Sequence, residues 1–150
     1  MKKLFLMVAL AVVSMFSVKA FEFSNLPWSA VSEIFVSVLN EDKEDYEEMF
    51  AEVGIDAKFN ASYEEAKKTL VLTFAFDQAI YDALSSAGLA NELKNTMLEI
   101  YRQGYKSDSD FKDMIDLMKK NNATFTMRFT SKTNPSKKVD LIIKPNEIIN

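Results

Sequence analysis

The residues whose type and spacing first suggest chemistry are carboxylates. Glu41, Asp42, Glu44, Asp45, Glu47, Glu48 and Glu52 crowd into one stretch. A hard cation needs oxygen ligands that converge on one point, whereas acids spread around a helix diverge. A solvated helix start that complements the macrodipole accounts for them better. Asp108-Ser109-Asp110 opens like a calcium loop. It then departs from one, because Lys112 stands where an acceptor is wanted, Asp113 takes the turn-glycine place and no Glu follows at the twelfth position. Asp77 and Asp82 flank an apolar strand-to-helix junction, where burial would raise a carboxyl pKa. Helix capping is the plainer role for Asp77.

The chain has no His and no Cys. That removes imidazole and thiolate zinc sites, a Cys nucleophile, disulfides, and any Ser-His-Asp or Cys-His arrangement. No G-x-S-x-G, no S-x-x-K with its partner motifs and no glycine-rich phosphate loop occurs. The sequence therefore nominates no catalytic residue, no metal ligand and no cofactor. A carboxylate-dependent hydrolase stands only as a second alternative, since acids without a motif cannot be placed across a cleft.

The N-terminus carries an address. Met1-Lys2-Lys3 is followed by ten uninterrupted apolar residues, Leu4 to Val13, and then by Ser14 to Ala20, with compact Val18 and Ala20 at the minus-three and minus-one places. This pattern predicts a secretory signal peptide over 1–20, cleaved after Ala20, and a single domain over 21–150. The apolar run is short of the roughly 20 residues of a membrane span, and no second long run follows, so no integral membrane segment is expected after cleavage. Without Cys at the cut the chain is no lipoprotein, and periplasmic or extracellular export is expected. Cleavage would leave 15 basic against 22 acidic residues, a net charge of −7. Such a chain repels phosphate backbones, which argues against nucleic-acid binding.

At 150 residues with 48% hydrophobic content, the chain is long enough for one core. Trp28, Val31, Ile34, Phe35, Val38 and Leu39 fall at helical spacing, as do Tyr46, Met49, Phe50 and Val53, with Gly54 closing the second helix. Ile55 to Tyr63 alternates as a strand, and Thr69 to Phe76 forms another. Asp77 caps a connector helix that breaks at Gly88, and a helix carrying Leu93, Met97, Ile100 and Tyr101 ends near Gly104. Phe111, Met114, Ile115 and Met118 then repeat the spacing of Tyr46 to Val53, Asn121 or Asn122 replaces Gly54, and strands over 123–130 and 139–144 follow. The expectation is an α+β fold in which a four-stranded antiparallel sheet carries helices on one face. It is built from two helix-helix-strand-strand pseudo-repeats, about 25–77 and 89–145.

Two surfaces could then bind something. The sheet face away from the helices would present Lys58, Val71, Thr73, Thr124, Thr126, Arg128 and Ile142, a flat and sparsely charged patch. On this basis the leading expectation is an exported, non-enzymatic binding or accessory protein that meets a protein partner, or a second copy, through that face. The alternative is a carrier of a small apolar molecule or lipid, with a cleft between helices and sheet near Phe35, Phe50, Phe74 and Phe125. Tyr81, Tyr101 and Tyr105 could rim a contact surface or serve as half-buried packing.

Overall fold

The computed structural model describes residues 2–17, 25–86 and 89–149. The cleavage positions Val18 and Ala20, and the expected break at Gly88, lie outside the described residues. The elements follow as α1 (Lys2–Phe16), α2 (Trp28–Glu41), α3 (Lys43–Glu52), β1 (Lys58–Glu64), a 3-10 turn (Glu65–Lys67), β2 (Thr69–Phe76), α4 (Gln78–Ser85), α5 (Leu89–Ser107), α6 (Ser109–Lys120), β3 (Thr124–Ser131), β4 (Lys138–Ile143) and α7 (Pro145–Ile149).

The fold is α+β, with helices packed on a four-stranded sheet of order β1-β2-β3-β4. The sheet is mixed, not antiparallel throughout. β1 pairs with β2 and β3 with β4 in antiparallel fashion, but β2 and β3 run parallel, with Leu70 opposite Phe125 and Phe74 opposite Phe129. The reason lies in the connection. Parallel neighbours require a crossover that returns the chain to its starting end, and α4, α5 and α6 together provide it.

The order helix, helix, strand, strand does occur twice. A copy generated by simple translation would have made the central pair antiparallel, so the two units share local structure and not their placement in the sheet. Their turns match in detail. Gly54 adopts φ +81° and Asn122 φ +54°. The next amide closes each helix in the same way, Ile55 N–H to the Phe50 carbonyl and Ala123 N–H to the Met118 carbonyl, both at 2.9 Å.

Alternation along the strands decides which face is buried. Phe59 and Ala61 of β1, Leu70, Leu72, Phe74 and Phe76 of β2, Phe125, Met127 and Phe129 of β3 and Leu141 and Ile143 of β4 all lie in the core. Phe50 of α3 meets Phe74 and Phe76 edge-on at 5.7 and 5.9 Å. Ile34 and Val38, though at helical spacing in α2, lie on its wetter side, at 38% and 36% exposure.

β3 and β4 lie one residue from the expected bounds, and two boundaries differ by three residues. β1 starts at Lys58, three residues after Ile55. α5 does not stop at Gly104 but continues to Ser107. Glycine is there for proximity, since a Cβ on Gly104 would sit 3.3 Å from the Phe111 ring and 3.7 Å from Val13.

Candidate functional site

The structure gathers all seven predicted contact residues on the sheet face opposite the helices. Along β1, β2, β3 and β4 one row runs Asn60, Thr73, Arg128, Asp140 and the next Ser62, Val71, Thr126, Ile142. They are not equally available. Lys58 and Ile142 are exposed and Thr73, Thr124 and Arg128 half-buried, but Val71 and Thr126 are buried.

The cause is a strap of charge. Arg128 is bidentate to Asp140, with Nε donating to Oδ1 at 2.8 Å and Nη2 to Oδ2 at 3.0 Å, and Nη2 also donates to Glu64 Oε1 at 3.2 Å. Because Arg128 lies opposite Thr73 and Glu64 opposite Thr69, this contact crosses Val71, which sits between those two threonines. Beside it the Thr69 and Thr126 hydroxyls are hydrogen-bonded at 2.8 Å. Burial works to raise the Asp140 carboxyl pKa, but the Arg128 hydrogen bonds and charge outweigh it, and the carboxyl is held below its ordinary range.

The named acids resolve into structural roles. Asp77 accepts from Ile80 N–H at 2.9 Å as the N-cap of α4, and Asp82 is exposed and accepts from Gln78 at 2.7 Å. Asp108 caps α6, accepting from Phe111 N–H at 3.0 Å. Asp56, Asp108, Asp116, Asp140 and Glu147 are all lowered, the opposite of what a general acid near neutrality needs. Among the described residues no group of three potential metal ligands converges.

The second surface is concealed. α1 lies in a groove of the helix layer, against α5, α6 and α3, and buries Leu4, Phe5, Val8, Ala9, Ala11, Val12, Met15 and Phe16 to 6% exposure or less. Phe16 is fully buried. Its ring meets Phe125 edge-on at 4.8 Å and Phe35 edge-on at 5.3 Å, and stacks on Phe111 at 6.2 Å. The space expected near Phe35 and Phe125 is therefore filled, and filled by the segment that reads as a leader.

No family model, curated protein or solved structure matches the chain.

Tyr101 adjoins the same pocket, 5.7 Å from Phe125 and 6.0 Å from Phe111. It is fully buried, its hydroxyl donates to the Met127 thioether at 3.3 Å, and burial pushes its pKa well above the ordinary phenol value. Tyr101 is thus core and not rim. Tyr105 is half-buried and donates to Asp116 at 2.6 Å.

Sequence reasoning missed the groove because it treated residues 1–20 as an address alone. Because every residue from Leu4 to Val13 is apolar, the run carries no periodicity that marks a packed side, and the burial of Leu4, Val8 and Val12 against exposed Leu6 and Leu10 appears only in the structure. No helix among the described residues is long and apolar enough to cross a membrane.

Proposed function

We propose that the protein is an exported, non-enzymatic binding protein whose processed form holds an apolar ligand in the groove that α1 fills in the full-length chain. One observation carries this reading: a segment with the charge, length and terminal pattern of a cleavable leader supplies eight buried residues to the core. Removing residues 1–20 would uncover the Phe35, Phe111 and Phe125 rings around the place of Phe16. Exposed aromatic surface of that kind is stabilised by an apolar ligand.

The test is native mass spectrometry of protein recovered from an exporting host without denaturant. The expected result is a chain lacking residues 1–20 together with a retained, non-covalently bound apolar species. A full-length mass, or a processed chain that neither carries nor accepts any apolar molecule, overturns the proposal.

A second reading keeps the open sheet face as a contact surface for a protein partner or a second copy. It is favoured by Ile142, a large apolar side chain 47% exposed on that face. Thr73→Arg with Ile142→Arg is the informative pair, since Thr126 is buried and its replacement would disturb folding. Partner capture unchanged by that double substitution overturns this reading.

A further inference from the structure

We infer that the groove under α1 recognises an apolar helical segment of another polypeptide, which places an aromatic side chain among Phe35, Phe111 and Phe125 and donates an adjacent hydrogen bond to the Asp108 carboxylate. The inference rests on the groove reading above and names what fills the groove.

The trough has the shape of a bed for one helix. α1 is buried along one side, yet Leu6 and Leu10 are 48% and 45% exposed on the other, so the groove is open to solvent along its length. At 1.5 Å per residue, the 15 residues of α1 span about 22 Å. A helix suits such a trough, because its backbone hydrogen bonds are satisfied internally and one face can remain in water. An acyl chain in the same place would leave much of its methylene surface wet, whereas lipid and drug-like sites enclose most of their ligand. Ala9 and Ala11 are both fully buried, so the walls approach the helix backbone itself.

One end of the trough pairs an aromatic pocket with a carboxylate. Phe16 occupies a pocket of three rings, the kind of desolvated aromatic anchor that dominates binding at helix-in-groove interfaces. The next residue, Ser17, donates its hydroxyl to Asp108 Oδ2 at 2.8 Å. The other oxygen of Asp108 is engaged with the start of α6, accepting from Phe111 N–H at 3.0 Å. The Phe111 bond favours the charged carboxyl and does not depend on Ser17, so a charged acceptor remains where the bound helix ends. A cation there would serve better than a hydroxyl, since it meets both the Asp108 carboxylate and the negative end of the ligand helix.

The experiment uses processed protein from an exporting host, its mass verified, titrated with a fluorescent synthetic peptide of residues 2–17. Binding is read by anisotropy and peptide helicity by circular dichroism. Saturable one-to-one binding with induced helix is expected, weakened at least about tenfold in the Phe16→Ala peptide. A Ser17→Lys peptide should bind tighter at low salt, and lose that advantage on the Asp108→Asn protein.

Equal binding of the Phe16→Ala peptide overturns the aromatic anchor without requiring any protein variant to fold. Processed protein that carries a lipid which the peptide cannot displace overturns the helical ligand while the groove reading stands. Processed protein that is empty and ignores the peptide overturns both, and recovery of the full-length chain does so at the export step.

Discussion

Arg128 contacts Glu64 across a strand: its Nη2 lies 3.2 Å from Glu64 Oε1, although β2 runs between β1 and β3. With Asp140 on its other side, one guanidinium joins carboxylates from both edge strands over the middle of the sheet. Arg128→Met should lower unfolding free energy by about 1 kcal/mol, the scale of a well-oriented surface pair sharing a network. Urea denaturation measures it. An unchanged midpoint would show that the strap adds no stability.

The same pair sets an acid-side dependence. Asp140 is lowered from its ordinary 3.8 in the folded chain. Its stabilising contribution is therefore fully present above that value and is lost as pH falls through the depressed folded value. Stability measured from pH 6 down to pH 2 should fall less steeply below about pH 4 for Asp140→Asn than for the parent. Parallel slopes for the two proteins would dissociate Asp140 from the acid transition.

Asn40 closes the outer edge of β1. Its Nδ2 donates to the Ala61 carbonyl at 2.9 Å and its Oδ1 accepts from Ala61 N–H at 2.8 Å, so a side-chain amide takes the place of a neighbouring strand. Glu47 Oε2 accepts from Phe59 N–H at 3.0 Å on the same edge. Such caps remove a template for intermolecular pairing. Asn40→Ala should cost about 1–2 kcal/mol and raise concentration-dependent association. Light scattering that stays flat with concentration would rule out edge protection as its role.

Gly104→Ala tests close packing against helix propensity. Alanine gains about 1 kcal/mol within a helix, but its Cβ would stand 3.3 Å from a Phe111 ring already held between Phe16 and Tyr101. In the chain that retains residues 1–20, Phe111 is fully buried and its ring has no room to yield, so thermal unfolding of that form should shift downward despite the propensity gain. An upward shift would show that the contact between α5 and α6 is softer than its spacing implies.

Much of this architecture could be read from patterns. Alternation over Thr69 to Phe76 and Thr124 to Ser131 assigns each residue to a face, and the structure places Val71, Thr73, Thr124, Thr126 and Arg128 on the same face. Alternation carries no sign for strand direction, which the helical crossover from Phe76 to Thr124 determines; this is why the central pairing escaped. α7 escaped because five residues are too few for periodicity, even with Pro145 suited to a first helical turn and Ile148 buried. The burial of Val71 was equally invisible. It depends on Arg128 and Glu64, residues of two different strands whose side chains meet only once β2 lies between them.

The parallel pairing of β2 with β3 also governs the order of assembly. Each antiparallel hairpin joins neighbours in sequence and can form as soon as its own residues are available, whereas Thr69 meets Thr124 only after α4, α5 and α6 have been laid down. Loop closure over that distance makes the central seam the slow, entropically demanding contact of the chain. Until it closes, two half-sheets present unpaired backbone along β2 and β3. That interval, and not the finished fold, is when this chain is most exposed to aggregation.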